Sequence, residues 1–143
     1  MTAPAGSARR RAREVAFRLA YQADVMAEGF EADWSARCAE EHLGPDQRKL
    51  VADVLGVLRR RDVEVDELLQ SAARNWELDR LAATDRSVLR IATAELIGRP
   101  GTPARVILDE AIEIARRFGS EESARFVNGV LDHVARHLRP GEV

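Results

Sequence analysis

Near the start of the chain, in SARRRAR, four arginines fall within five residues: Arg9, Arg10, Arg11 and Arg13. A guanidinium is always charged, and its planar fork of donors matches phosphate geometry. Successive helical residues are about 100° apart, so the cluster spreads over most of a helix circumference, and a core seldom takes up unpaired arginines. The spacing therefore predicts side chains that meet solvent or an anion, which suits tracking of an RNA backbone. Val15, Leu19, Ala23 and Met26 follow as one apolar stripe with Phe17 and Tyr21 beside it. The arginines thus ride on an anchored helix.

No other grouping points to catalysis or metal binding. His133 and His137 share a helical face, yet structural zinc needs four ligands and catalytic zinc three, and no third ligand lies nearby. They read as exposed groups near a helix C-terminus. Asp109 and Glu113 also share a face, but Arg116 and Arg117 follow Glu113 at ion-pair spacing. A glycine-rich phosphate loop and a GxSxG elbow are both missing, and Cys38 has no sequence-adjacent histidine. The expectation is a non-enzyme without catalytic residues, cofactor or metal.

Composition agrees with one ordinary globular domain: 143 residues, 45% hydrophobic, 32% charged, net charge −2. No apolar run approaches the roughly 20 residues that span a bilayer, and the arginine-rich start does not resemble a secretory signal. The lone Cys38 fits a reducing compartment, so a cytoplasmic protein is expected. Charge is unevenly placed. Basic residues dominate up to Arg18, whereas Glu28, Glu31, Asp33, Glu40, Glu41 and Asp46 outnumber Arg37 in the next stretch.

The elements that must position these groups are helical. Beyond the first helix, a short one holds Trp34 and Cys38, and Pro45 opens a third with Leu50, Val51, Val54, Leu55 and Leu58. Asp62 is expected to cap a fourth carrying Val65, Leu68, Leu69 and Ala72. Thr84 or Asp79 is expected to cap a fifth with Val88, Leu89, Ala92 and Leu96. After Thr102-Pro103 a sixth presents Val106, Ile107, Ala111, Ile114 and Phe118, stopped by Gly119. Ser120 opens a seventh. No segment alternates with period two long enough for a sheet, so the fold class is all-α.

FVNGVLD at residues 126–132 sets two signals against each other. Asn-Gly between apolar residues favours a hairpin. Val127, Val130, Leu131, Val134 and Leu138, however, recur at helical spacing, and a hairpin would split that stripe. Helix is the better assignment, at a cost of about 1 kcal/mol for Gly129 relative to alanine. The expected offset is close approach of another helix at Gly129, with Asn128 hydrogen-bonded to a neighbouring loop.

Taken together, ARRRARE, Tyr21, DRSVLRIATAEL at 85–96, LDEAIEIARRFG at 108–119 and FVNGVLD resemble the NusB family of transcription antitermination factors. The resemblance covers almost the whole chain, least distinctively at residues 29–80. It implies one RNA-binding domain over residues 1–143, built as two packed helical bundles, roughly 7–76 and 77–138. It also implies binding of boxA-type single-stranded RNA, pairing with NusE, a small-subunit ribosomal protein, and action on the RNA polymerase elongation complex during ribosomal RNA synthesis. Position by position, Arg9, Arg10, Arg11 and Arg13 match the arginine-rich RNA-binding start, and Arg86 and Arg90 match RNA-facing basic positions. Asp85 matches the acidic position toward NusE. Glu122, Arg125 and Phe126 match a second RNA-contacting patch, and Asn128 and Gly129 complete the signature.

Two positions depart from the family pattern. Thr93-Ala94 replaces an aliphatic-aromatic pair, and Glu122 stands where aspartate is common. Two rival readings accompany the resemblance. One is a domain related to the N-terminal part of ribosomal RNA cytosine methyltransferases, for which a chain ending at Val143 leaves no cofactor-binding domain. The other is a purely protein-binding helical module. Phe126 itself has two expectations, a base-stacking ring or a core side chain.

Overall fold

The computed structural model describes residues 5–26 and 34–142, with side chains from residue 8 onward. These residues form seven α-helices: α1 (Ala5–Met26), α2 (Trp34–Glu40), α3 (Pro45–Arg60), α4 (Asp62–Ala72), α5 (Ala83–Gly98), α6 (Ala104–Phe118) and α7 (Glu121–Leu138). A 3-10 turn at Leu78–Arg80 precedes α5, and no strand occurs among the described residues. The all-α expectation holds. Among the described residues no helix is long and apolar enough to cross a membrane.

Several boundaries follow local chemistry. Pro45 occupies the first turn of α3, where its missing N–H costs nothing, and the Gly44 amide donates to Gln47 Oε1 at 2.8 Å. The Ser120 hydroxyl accepts the Ser123 amide at 3.0 Å and caps α7. Gly119 ends α6 because a Cβ there would lie 2.8 Å from both Ala115 O and Ser123 Oγ.

Other caps differ from expectation. Asp62 is already the first residue of α4, and α5 begins at Ala83 with no side-chain cap from Thr84 or Asp79. The acids Asp62 and Asp85 sit inside the first turns, where they act on the helix dipole. The start of α6 is closed from far along the chain. Glu142 accepts the Ala104 amide, which holds its carboxyl below the usual range, while Arg139 donates to the carbonyls of Leu96, Arg99 and Thr102.

α5 is the axis of the fold and packs against α1, α3, α4, α6 and α7. Its sequence explains this: Val88, Leu89, Ile91, Ala92, Ala94 and Leu96 are all buried, together with Ser87, Thr93 and Glu95. A helix covered on every side has no polar face. Thr93 and Ala94, the departure from the family pattern, are fully enclosed, and the Thr93 hydroxyl has no hydrogen-bond partner. One hydrophobic cluster runs through α1 and α3 to α7. Cys38 joins it, and burial pushes its thiol pKa up, which keeps it protonated.

The close helix contact lies at a different glycine from the one expected. Gly129 is exposed and a Cβ there meets nothing within 4 Å, while Asn128 is exposed and bonds no neighbouring loop. The expectation of a crossing helix at Gly129 is thus corrected. Gly98 is where backbones approach: a Cβ would lie 2.9 Å from Val57 Cγ2 and 3.1 Å from the Asp53 carbonyl. Gly98→Ala should therefore cost about 1–3 kcal/mol through overpacking. Gly129→Ala should gain up to about 1 kcal/mol. Urea denaturation of both variants checks the pair of signs, and destabilisation by Gly129→Ala would contradict the open site.

Candidate nucleic-acid interface

The arginine cluster divides as α1 turns. Arg9 is exposed and makes no ion pair among the described residues. Arg10, half-exposed, forks onto Glu110 of α6 at 2.8 and 3.0 Å, and Arg11 donates to the Glu41 carbonyl at 2.6 Å. Arg13 does not follow them. It is 4% exposed and bonds both oxygens of the equally buried Glu95, with contacts of 2.7 and 2.8 Å. The expectation that no core absorbs these arginines fails at Arg13, because α5 supplies a buried carboxylate.

Further along the same helix, cations and aromatics interleave. Phe17 packs on Tyr21 and on Phe118, with centroids 6.1 and 5.0 Å apart. The guanidinium of Arg117 lies 5.5 Å from the Phe118 ring and that of Arg18 6.0 Å. Tyr21 and Phe118 are more than one-third exposed, and Arg117 pairs with Glu14. Sequence spacing placed Phe118 and Val106 on the buried stripe of α6 and Met26 on that of α1, but all three are exposed. They lie near helix ends, beyond the reach of the packed layers.

Arg86 and Arg90 are turned inward. Arg86 holds Asp24 at 2.7 Å and donates to the carbonyls of Leu78, Asp79 and Leu81. Arg90 bridges Asp24 at 3.0 Å and both oxygens of Asp66 at 2.9 Å. Burial raises the Asp24 pKa, yet the two guanidiniums outweigh it and leave the carboxyl below its usual range. Both cations implied to face RNA are thus engaged within the chain, where they tie α1, α4 and α5 together.

A second patch gathers around the start of α7. Asp85, Ser120, Glu122, Ser123 and Phe126 line one cleft with Trp76. The acid assigned to the partner face and the acid assigned to RNA therefore adjoin. Phe126 is half-buried against the core and meets Trp76 near-perpendicularly at 5.9 Å. Arg125 is exposed, as are His133 and His137, and no group of three metal-ligating side chains occurs among the described residues. Sequence reasoning missed Trp76. Its signal is a tryptophan in the polar connection after α4, outside every apolar stripe.

The NusB family model matches residues 10–136. The chain belongs to the NusB family. The transcription antitermination protein NusB of Koribacter versatilis (strain Ellin345) is 40% identical over 142 residues, covering 96% of this chain and 94% of that one. The protein of the same description from Myxococcus xanthus (strain DK1622) is 42% identical over 133 residues, covering 90% and 94%. Among solved structures, T. maritima NusB superposes with a TM-score of 0.80 at 33% identity, over 95% of this chain and 93% of that one. A chain from the crystal structure of antitermination factors NusB and NusE in complex with dsRNA gives 0.82 at 23% identity, over 92% and 98%, a likeness of fold. Membership accords with the absence of a catalytic constellation in the sequence.

Proposed function

We propose that this NusB-family chain is a transcription antitermination factor that binds boxA-type single-stranded RNA, pairs with NusE and acts on the RNA polymerase elongation complex during ribosomal RNA synthesis. The observation that carries the reading is the exposed basic turn Arg9–Arg11 at the head of α1, continued by Arg18 and Arg117 around the half-exposed Tyr21 and Phe118. Cations alternating with aromatic faces suit a flexible single strand, which offers phosphates and unstacked bases together. Arg10 and Arg11 keep about half of their side-chain surface in solvent beside Glu110 and Glu41, so a phosphate can reach both guanidiniums. NusE, approaching at Asp85 beside Glu122, supplies affinity that this small basic patch lacks.

The joint Arg9→Ala, Arg10→Ala and Arg11→Ala variant should keep wild-type helicity and lose RNA affinity about 10- to 100-fold. Three fewer phosphate contacts should flatten the dependence of log K on log salt by about 2, at about 0.7 per contact. Binding of a boxA oligonucleotide at several salt concentrations, with and without NusE, measures both. An unchanged slope would remove this turn from the interface.

A further inference from the structure

Each of the four half-exposed arginines along the basic face of α1 lies against a carboxylate of the same chain. Arg10 forks onto Glu110, Arg11 and Arg18 flank Glu41 at 3.6 and 3.7 Å, and Arg117 pairs with Glu14. These are tertiary pairs: Arg10, Arg11 and Arg117 stand 100, 30 and 103 residues from their acids, which come from α6, the turn after α2 and α1. The two sides of each pair differ in exposure. The side chains of Arg10, Arg11, Arg18 and Arg117 are 50%, 54%, 45% and 53% exposed, whereas those of Glu110, Glu41 and Glu14 are 14%, 26% and 14% exposed. The carboxylates form a floor fixed by packing, and the guanidiniums lie over it. At Arg10 the bidentate edge that would fork onto a phosphate is already taken. Its pKa is pushed up by the bond to Glu110 and by that carboxylate's charge, with smaller contributions from Glu113 and Glu14.

We propose that Glu14, Glu41 and Glu110 are internal counter-ions that mask the basic face of α1 and hold down its affinity for the phosphate backbone of RNA. The proposal rests on the RNA-binding reading above. A carboxylate and a phosphate use the same donors of a guanidinium, so an acid supplied by the fold competes with every phosphate that arrives. Contact with phosphates alone is thereby weakened, and binding comes to depend on what else the ligand offers, such as unstacked bases that meet the exposed faces of Tyr21 and Phe118.

The test uses the full chain with the neutral isosteres Glu14→Gln, Glu41→Gln and Glu110→Gln, singly and together. The control is Glu64→Gln, which makes the same change of charge at the exposed Arg61 pair of α4. Each of the three variants should bind a 12-nucleotide single-stranded RNA about 2- to 5-fold more tightly at low salt, the equilibrium worth of one exposed pair, and the joint variant about 10- to 100-fold. The dependence of log K on log salt should steepen by about 0.7 for each arginine that gains a phosphate. Inorganic polyphosphate, which carries the charge without the bases, should gain by similar factors. Glu41→Gln keeps the Arg11 bond to the backbone carbonyl, so it reports on the carboxylate even where the joint variant loses stability. A gain no larger than that of Glu64→Gln overturns the mask, because net charge alone then accounts for it. A loss of affinity overturns it too, and makes the acids groups that orient the arginines. A gain for RNA with none for polyphosphate overturns it as a competitor of phosphate. In these three cases the RNA reading stands. Gains for polyphosphate with no RNA binding by any variant remove the RNA reading and leave a mask over a phosphate-binding face, and no binding of either polyanion at low salt overturns both.

Discussion

Glu95→Ala should destabilise the protein by about 3–5 kcal/mol, the usual cost of leaving one member of a buried ion pair without its partner. Arg13 and Glu95 are 5% and 4% exposed as side chains, enclosed where α1 packs on α5. The attraction itself is not the reason for the loss, because desolvating two charges cancels most of it. Joint replacement by Arg13→Met and Glu95→Leu should therefore recover most of the stability. Urea denaturation of the single and double variants forms the test. A cost under about 1 kcal/mol for Glu95→Ala would mean that Arg13 reaches solvent. The double variant also decides a functional point: with Arg13 serving the core, it should bind RNA as the wild type does.

The second large effect is expected at Asp24. Asp24→Asn removes the shared charge of Arg86 and Arg90 and should cost about 3 kcal/mol, at the low end for a broken pair because Arg86 keeps three carbonyls and Arg90 keeps Asp66. The sign of its pH dependence follows from the lowered pKa. A carboxyl with a lower pKa folded than unfolded contributes its full stabilisation above the unfolded value, about 3.9, and loses it as pH falls through the lower folded value. The gap in stability between wild type and Asp24→Asn should thus be constant from neutral pH to about 5 and shrink below about 4. A gap that widens on acidification would show that Asp24 is not held ionised by the two arginines.

Much of the architecture is local chemistry that the sequence by itself determined. Apolar residues at steps of three and four bury one face of each helix whatever its neighbours, so α3 and α7 matched their predicted stripes closely. Pro45 lacks an N–H where the helix needs none and Ser120 accepts an amide three residues on, so they too were legible. The helical outcome at FVNG was decided by the same periodicity, which outweighed the turn preference of Asn-Gly. The family motifs in α5 to α7 were equally visible, because they are contiguous strings.

Tertiary structure alone decided which of these groups remain available. An arginine reads the same in sequence whether it meets solvent or a carboxylate, and the carboxylates that claim Arg13 and Arg86 lie 82 and 62 residues away. The same holds for glycine. Gly98 and Gly129 both lie in helices, yet only Gly98 faces a crossing backbone, and the register that brings Asp53 to it is set by the packing of α3 on α5. Trp76 and Phe126 become one ridge because the connection after α4 folds back onto the start of α7. Helical periodicity encodes how a segment divides into faces; which face meets which, and which charge finds a partner there, depends on contacts between residues far apart in the chain.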